Sequence, residues 1–160
     1  MTLSPIRLHA ERAFDIVRPA IVATMASGVT GRQDLAVVIT AIPAINPVPD
    51  GMSFEDGCLL VAEIGNLANS SYPNRQIALK KAERSMRTGQ PTAHLSPSSL
   101  LPGDSVFWGS AVLDGIVVAC AGLDEYHDEM FSYWIAATVN AVAKQWFEEQ
   151  RHSRPDDSFV

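Results

Sequence analysis

Val106-Phe107-Trp108-Gly109-Ser110-Ala111-Val112-Leu113-Asp114-Gly115-Ile116-Val117-Val118-Ala119-Cys120-Ala121 is the stretch that decides the fold. Two runs rich in β-branched and small apolar residues, Val106–Val112 and Ile116–Ala121, flank Asp114-Gly115. Asp-Gly accepts the positive φ values of a type I′ turn, whose twist matches that of paired strands, so the stretch predicts a β-hairpin. Upstream, Leu35–Ala41 (Leu-Ala-Val-Val-Ile-Thr-Ala) and Cys58–Ile64 read as two further strands. Between them, Ile42–Gly57 contains Pro43, Pro47, Pro49, Asp50-Gly51 and Asp56-Gly57 and reads as a connection. It is well beyond the ~4–6 residues usual for a connection, which marks it as either a functional loop or a mobile one.

Three helices surround these strands. Ser4-Pro5 is a start signal, with a capping hydroxyl followed by proline in the first turn. Ile6, Ala10, Ala13, Val17, Ile21 and Thr24 then recur at helical spacing up to Gly28, and Pro19 inside that pattern predicts a kink or a division. Asn74 is placed to cap a second helix over Arg75–Thr88, stopped by Gly89 and Pro91. Its buried stripe is Leu79, Ala82 and Met86, and Ala78, Ala82 and Ser85 make one side thin enough for close approach to a sheet. A third helix runs over Glu125–Glu149, with Phe131, Trp134, Ile135, Thr138, Val142 and Trp146 forming a broad apolar face. The order is helix, two strands, helix, hairpin, helix, which is an α+β fold with one antiparallel sheet flanked by helices. The reading is one domain over residues 1–150 and a charged tail over residues 151–160.

Composition narrows the function classes. Of 160 residues, 47% are hydrophobic and 19% charged, a globular balance. Twelve Lys and Arg against eighteen Asp and Glu give a net charge of −6, which repels phosphate backbones and argues against nucleic acid as the main partner. No window approaches the roughly 18 continuous apolar residues of a membrane span. The N-terminal Met-Thr-Leu-Ser-Pro-Ile-Arg lacks a leader's basic-then-apolar order, and Cys58 and Cys120 lie in apolar runs as buried reduced thiols would. Together these features predict a cytoplasmic protein.

Several residues are candidates for chemistry. Arg75, Lys80, Lys81, Arg84 and Arg87 crowd the second helix against a single acid, Glu83. Lys80, Arg84 and Arg87 share a face, so the group reads either as a clamp for a carboxylate ligand or as a solvated face pairing with nearby acids. Asp124, Glu125, His127, Asp128 and Glu129 surround one imidazole. His127 is a candidate metal ligand or axial heme ligand, while the acids alternatively serve only to dress a helix N-terminus. His94 lies in a serine-rich loop and reads as a ligand, a proton carrier or a solvent-facing residue. Phe107, Trp108, Tyr126, Phe131, Tyr133 and Trp134 concentrate where the hairpin meets the last helix, as a pocket lining or as core. No nucleophile elbow, phosphate-cradling glycine loop or paired-cysteine metal motif occurs in the sequence.

Three stretches, in this order, resemble the heme-binding HbpS/GlcG-like family. They are Ile77-Ala78-Leu79-Lys80-Lys81-Ala82-Glu83-Arg84-Ser85 with the exit Gly89-Gln90-Pro91-Thr92; Trp108–Gly122 with its Asp114-Gly115 turn; and Asp128-Glu129 early in the last helix. The Pro-rich Ile42–Gly57 connection stands where that family has a tight turn. The resemblance implies a profilin-like fold and a small-molecule ligand, heme or an organic acid, held between the second helix, the hairpin and the last helix. It implies Lys81 and Arg84 toward carboxylates, Trp108 and Phe131 against the apolar body, and Thr92 beside the cavity. It also implies a homo-oligomer and, as an alternative to simple binding, a heme-degrading activity; the residues leave two further alternatives, a metal-dependent activity at His127 and a ligand-free homo-oligomeric assembly module.

Overall fold

A computed structural model describes residues 5–156 and 158. The helices are α1 (Ile6–Ala26), α2 (Phe54–Gly57), α3 (Asn74–Thr88) and α4 (Glu125–Ser153). The strands are β1 (Leu35–Ala41), β2 (Leu60–Ile64), β3 (Ser110–Leu113) and β4 (Ile116–Ala121). They form one sheet in the order β2-β1-β4-β3, with every neighbouring pair antiparallel. The α+β class and the antiparallel sheet flanked by helices are as the sequence predicts.

The two central strands are buried along their whole length, which explains why they read as continuous apolar runs. Successive side chains point to opposite faces. Leu35, Val37, Ile39 and Ala41 join Ile116, Val118 and Cys120 under α1 and α4, while Ala36 and Val38 join Val117, Ala119 and Ala121 under α3. Each fully buried Val, Leu or Ile contributes about 1.5–3 kcal/mol relative to exposure, so both faces supply stability. On its sheet-facing side α3 presents Ala78, Ala82 and Ser85, and this thin surface lets a highly charged helix lie close to the strands.

The β3–β4 turn has Asp114 at φ 49° and Gly115 at φ 80°, as a type I′ turn requires. A Cβ on Gly115 would stand 2.5 Å from Ile45 Cδ1, so the turn packs tightly on the Ile42–Gly57 connection. That connection is pinned: Ile42 N–H donates to Gly115 O (2.8 Å), Asn46 Nδ2 to Gly57 O (2.9 Å), and Ser53 caps the short helix α2.

Four expectations need correction or narrowing. Helix α1 does not divide at Pro19 but continues past it as one element; Pro19 lies on the exposed face, where a missing N–H and a displaced carbonyl can be met by water. Its expected cap, Ser4, falls outside the described residues. Asn74 lies inside α3, with Pro73 in the cap position and no side-chain cap bond. Strand β3 begins only at Ser110, because Gly109 at φ 121° ends the ladder and sends Val106–Trp108 away as loop. Helix α4 carries Arg151 in its last turn, so the expected tail starts later, after Ser153.

Candidate functional site

At the end of β4 the chain passes through Gly122, at φ 141°, into the N-terminus of α4. Gly109 lies beside it, at the start of β3. A Cβ on Gly109 would stand 2.8 Å from Asp128 Cβ and 3.2 Å from Lys81 Nζ. The space that this glycine leaves is taken by the Lys81 side chain, which passes from α3 toward the layer on the far side of the sheet. Its Nζ donates to Cys120 O (2.9 Å) and to Asp128 Oδ2 (3.0 Å), and Asp128 Oδ1 accepts from Leu123 N–H (3.1 Å). Lys81 is 1% exposed and Asp128 2%. Burial pushes the Asp128 carboxyl up to about 6, against the opposing pull of the Lys81 charge and hydrogen bond and of the Leu123 N–H.

Hydroxyl groups complete this junction. Ser132 Oγ donates to Asp128 O (2.7 Å) and accepts from Cys120 N–H (3.1 Å). Thr92 Oγ1 accepts from Gly109 N–H (3.0 Å) and Ser110 N–H (3.2 Å), and Ser110 Oγ lies 2.7 Å from Ser85 Oγ. Backbone groups released where the ladder stops thus find side-chain partners instead of water.

A crevice of about 410 Å³ opens above the ion pair, between the N-terminal ends of α3 and α4. Lys81 and Asp128 line it together with Arg32, Asn74 and the aromatic rings of Tyr72, Phe107 and Tyr126. Tyr72 and Phe107 meet edge to face at 5.9 Å, and Arg32 pairs with Asp124 at 2.8 Å across the rim. Asn74 is 5% exposed, and its Nδ2 has no hydrogen-bond partner among the described residues. The first turn of α3 carries no acid and no side-chain cap, and Arg75 in that turn pairs with Glu55 and Glu63.

A second crevice, of about 460 Å³, lies between α3 and the loop preceding β3. Arg84, Thr92, Leu95, Pro97, Leu100, Val106 and Trp108 are among its lining residues.

The predicted site residues therefore separate. Arg84, Thr92 and Trp108 come together in the second crevice, while Lys81 lines the first. Phe131 has no exposed surface and packs in the core under α1 and α4, edge to face with Trp134 at 5.1 Å; it lines neither crevice. Of the two readings of Lys80, Arg84 and Arg87, Lys80 and Arg87 follow the pairing one, Lys80 with Glu83 (3.1 Å) and Arg87 with Asp104 (2.8 Å). His127 meets the ring of Tyr126 edge-on, with centroids 4.6 Å apart, and among the described residues no group of three His, Cys, Asp or Glu could hold a metal ion. Asp128, one of the acids beside His127 in sequence, is engaged by Lys81. His94 is exposed in its loop. Cys58 and Cys120 are buried free thiols, each pushed up to about 12 by burial first of all. No helix among the described residues is long and apolar enough to cross a membrane.

Sequence reasoning missed Arg32, Tyr72 and the role of Asn74. The signal available for Asn74 was Pro73, which takes the cap position and carries the asparagine into the first turn. Comparison of the chain with family models, curated proteins and solved structures finds no match.

Proposed function

We propose that this protein binds a small aromatic carboxylate in the crevice at the α3 and α4 N-termini. The observation that carries the reading is Asn74, a buried residue lining the crevice whose side-chain Nδ2 has no partner among the described residues, at a helix end whose dipole favours negative charge. A ligand carboxylate accepts from that amide near the positive end of the α3 dipole, while Tyr72, Phe107 and Tyr126 offer ring surfaces to a flat body. Of the three acids at the α4 end that line the crevice, Asp128 is paired with Lys81 and Asp124 with Arg32, while Glu125 accepts from the Trp108 N–H (3.3 Å) and holds no cation among the described residues; it is the one acid there that opposes an anion at full strength.

Within the ligand classes that the resemblance implies, this geometry favours an organic acid over heme. Neither crevice is lined by a histidine, cysteine or methionine, so of the usual axial ligands of heme iron the two walls offer tyrosine, as Tyr72 and Tyr126. Self-association belongs to the same proposal: α1 leaves Leu8, Ile16 and Val22 exposed, and a second copy of the chain would cover them.

Calorimetric titration with 2-naphthoate, the uncharged 2-naphthalenemethanol and hemin tests the reading. Saturable naphthoate binding, with the alcohol about ten-fold weaker or more, is the expected result, since hydrogen bonds to a charged group contribute about 1.5–3 kcal/mol. Equal binding of acid and alcohol, or hemin binding with a saturable Soret shift and no naphthoate binding, overturns it.

A further inference from the structure

Arg84 is 5% exposed and makes no ion pair among the described residues. Its Nη2 donates to Ser96 O (3.2 Å) and Ser99 Oγ (2.8 Å), both neutral acceptors, and its Nε has no partner among the described residues. Guanidinium stays protonated, so this is a buried positive charge with an unused donor. Its neighbours on the same helix are different: Lys80 and Arg87 each hold an acid. Asp104 feels the Arg84 charge, but its carboxylate is committed to Arg87 and to the Leu101 N–H (2.8 Å), and these contacts, against the opposing effect of burial, hold its carboxyl below the ordinary range.

The surface that Arg84 faces is apolar. Leu95, Pro97, Leu100, Val106 and Trp108 line the rest of the roughly 460 Å³ crevice, and Thr92 is occupied by its own bonds at the start of β3. A guanidinium matches a carboxylate in shape and charge, and the aliphatic walls match a hydrocarbon chain.

We propose that this crevice is a second binding site, separate from the first, for an aliphatic monocarboxylate whose head group pairs with Arg84 and whose chain lies along Leu95, Leu100, Val106 and Trp108. The two sites divide by ligand shape, flat rings in one and a flexible chain in the other. This site stands without the first, because it shares no lining residue with it.

The test is calorimetric titration of the full chain with sodium octanoate and with octan-1-ol. Octanoate binds saturably, at least ten-fold tighter than octanol; Arg84→Met loses at least ten-fold for octanoate and little for octanol, and Asn74→Ala changes neither. Should Arg84→Met fail to fold by far-ultraviolet circular dichroism, Val106→Asp decides. Val106 is 76% exposed, so the variant folds, and its new carboxylate weakens octanoate while sparing octanol. Equal affinities for octanoate and octanol, absence of saturation by octanoate, or octanoate binding lost in Asn74→Ala but kept in Val106→Asp would each overturn the proposal.

Discussion

The ammonium of Lys81 lies 3.0 Å from Asp128 Oδ2 and joins a helix on one face of the sheet to a helix on the other, through a gap kept open by Gly109. Removing one partner of such a pair leaves a buried charge without compensation. Lys81→Met is therefore expected to lower unfolding free energy by about 3 kcal/mol at pH 8. Replacing both partners, as Lys81→Met with Asp128→Leu, restores most of that loss. Urea denaturation of the single and double variants checks both statements, and a double variant as unstable as the single one contradicts them.

Acid dependence follows from the same carboxyl. Burial raises Asp128 to about 6 in the folded chain from 3.8, so between these values the folded state holds more protons than the unfolded state. The stability from this group is fully present below about pH 4 and is lost as pH rises through about 6. The wild type should therefore lose stability relative to Asp128→Asn across that window. In Lys81→Met the carboxyl rises further, so the deficit of that variant is smaller at pH 5 than at pH 8. Denaturant midpoints measured at several pH values test the sign.

Gly109 and Gly28 separate backbone strain from steric conflict. Both have positive φ, but a Cβ at Gly28 meets nothing within 4 Å, whereas at Gly109 it meets Asp128 Cβ at 2.8 Å and Glu125 O at 2.9 Å. Gly28→Ala is expected to cost about 1 kcal/mol and Gly109→Ala about 3 kcal/mol or more. Thermal melts of the two variants provide the comparison, and equal shifts would contradict the close packing at Gly109.

The two cysteines should be silent toward thiol reagents. Burial takes both thiols to about 12 from 9.0, a thiolate fraction lower by about a thousandfold. Labelling with a chromogenic disulfide at pH 8 is expected only after urea unfolds the chain. Rapid labelling of either residue in native buffer would contradict their placement in the core.

What could be read from sequence was local. Leu35–Ala41 carries its strand in its own composition, and Asp114-Gly115 carries its turn in its allowed φ values. Pro19 does not divide α1, because it lies on the face open to water, a placement that the residue alone does not reveal. The site was harder, because its defining contacts are remote: Lys81 and Asp128 are 47 positions apart, and neither charge pattern names the other. Asp128 looked like one of several acids favouring a helix start, and only the sheet between the helices turns it into a buried partner. Phe131 and Trp108 looked equivalent as aromatic wall residues; the register of α4 sends Phe131 into the core, while the ladder's end at Gly109 leaves Trp108 on a crevice.

The most direct test of the central claim follows the side-chain amide of Asn74 by heteronuclear NMR during titration with 2-naphthoate. The account predicts that the Asn74 Nδ2 resonances shift saturably, together with the backbone amides of Gly122 and Leu123, and that Arg84 and Leu100 stay still. Saturable shifts around Arg84 with Asn74 unmoved, or no saturable shift anywhere, would contradict it.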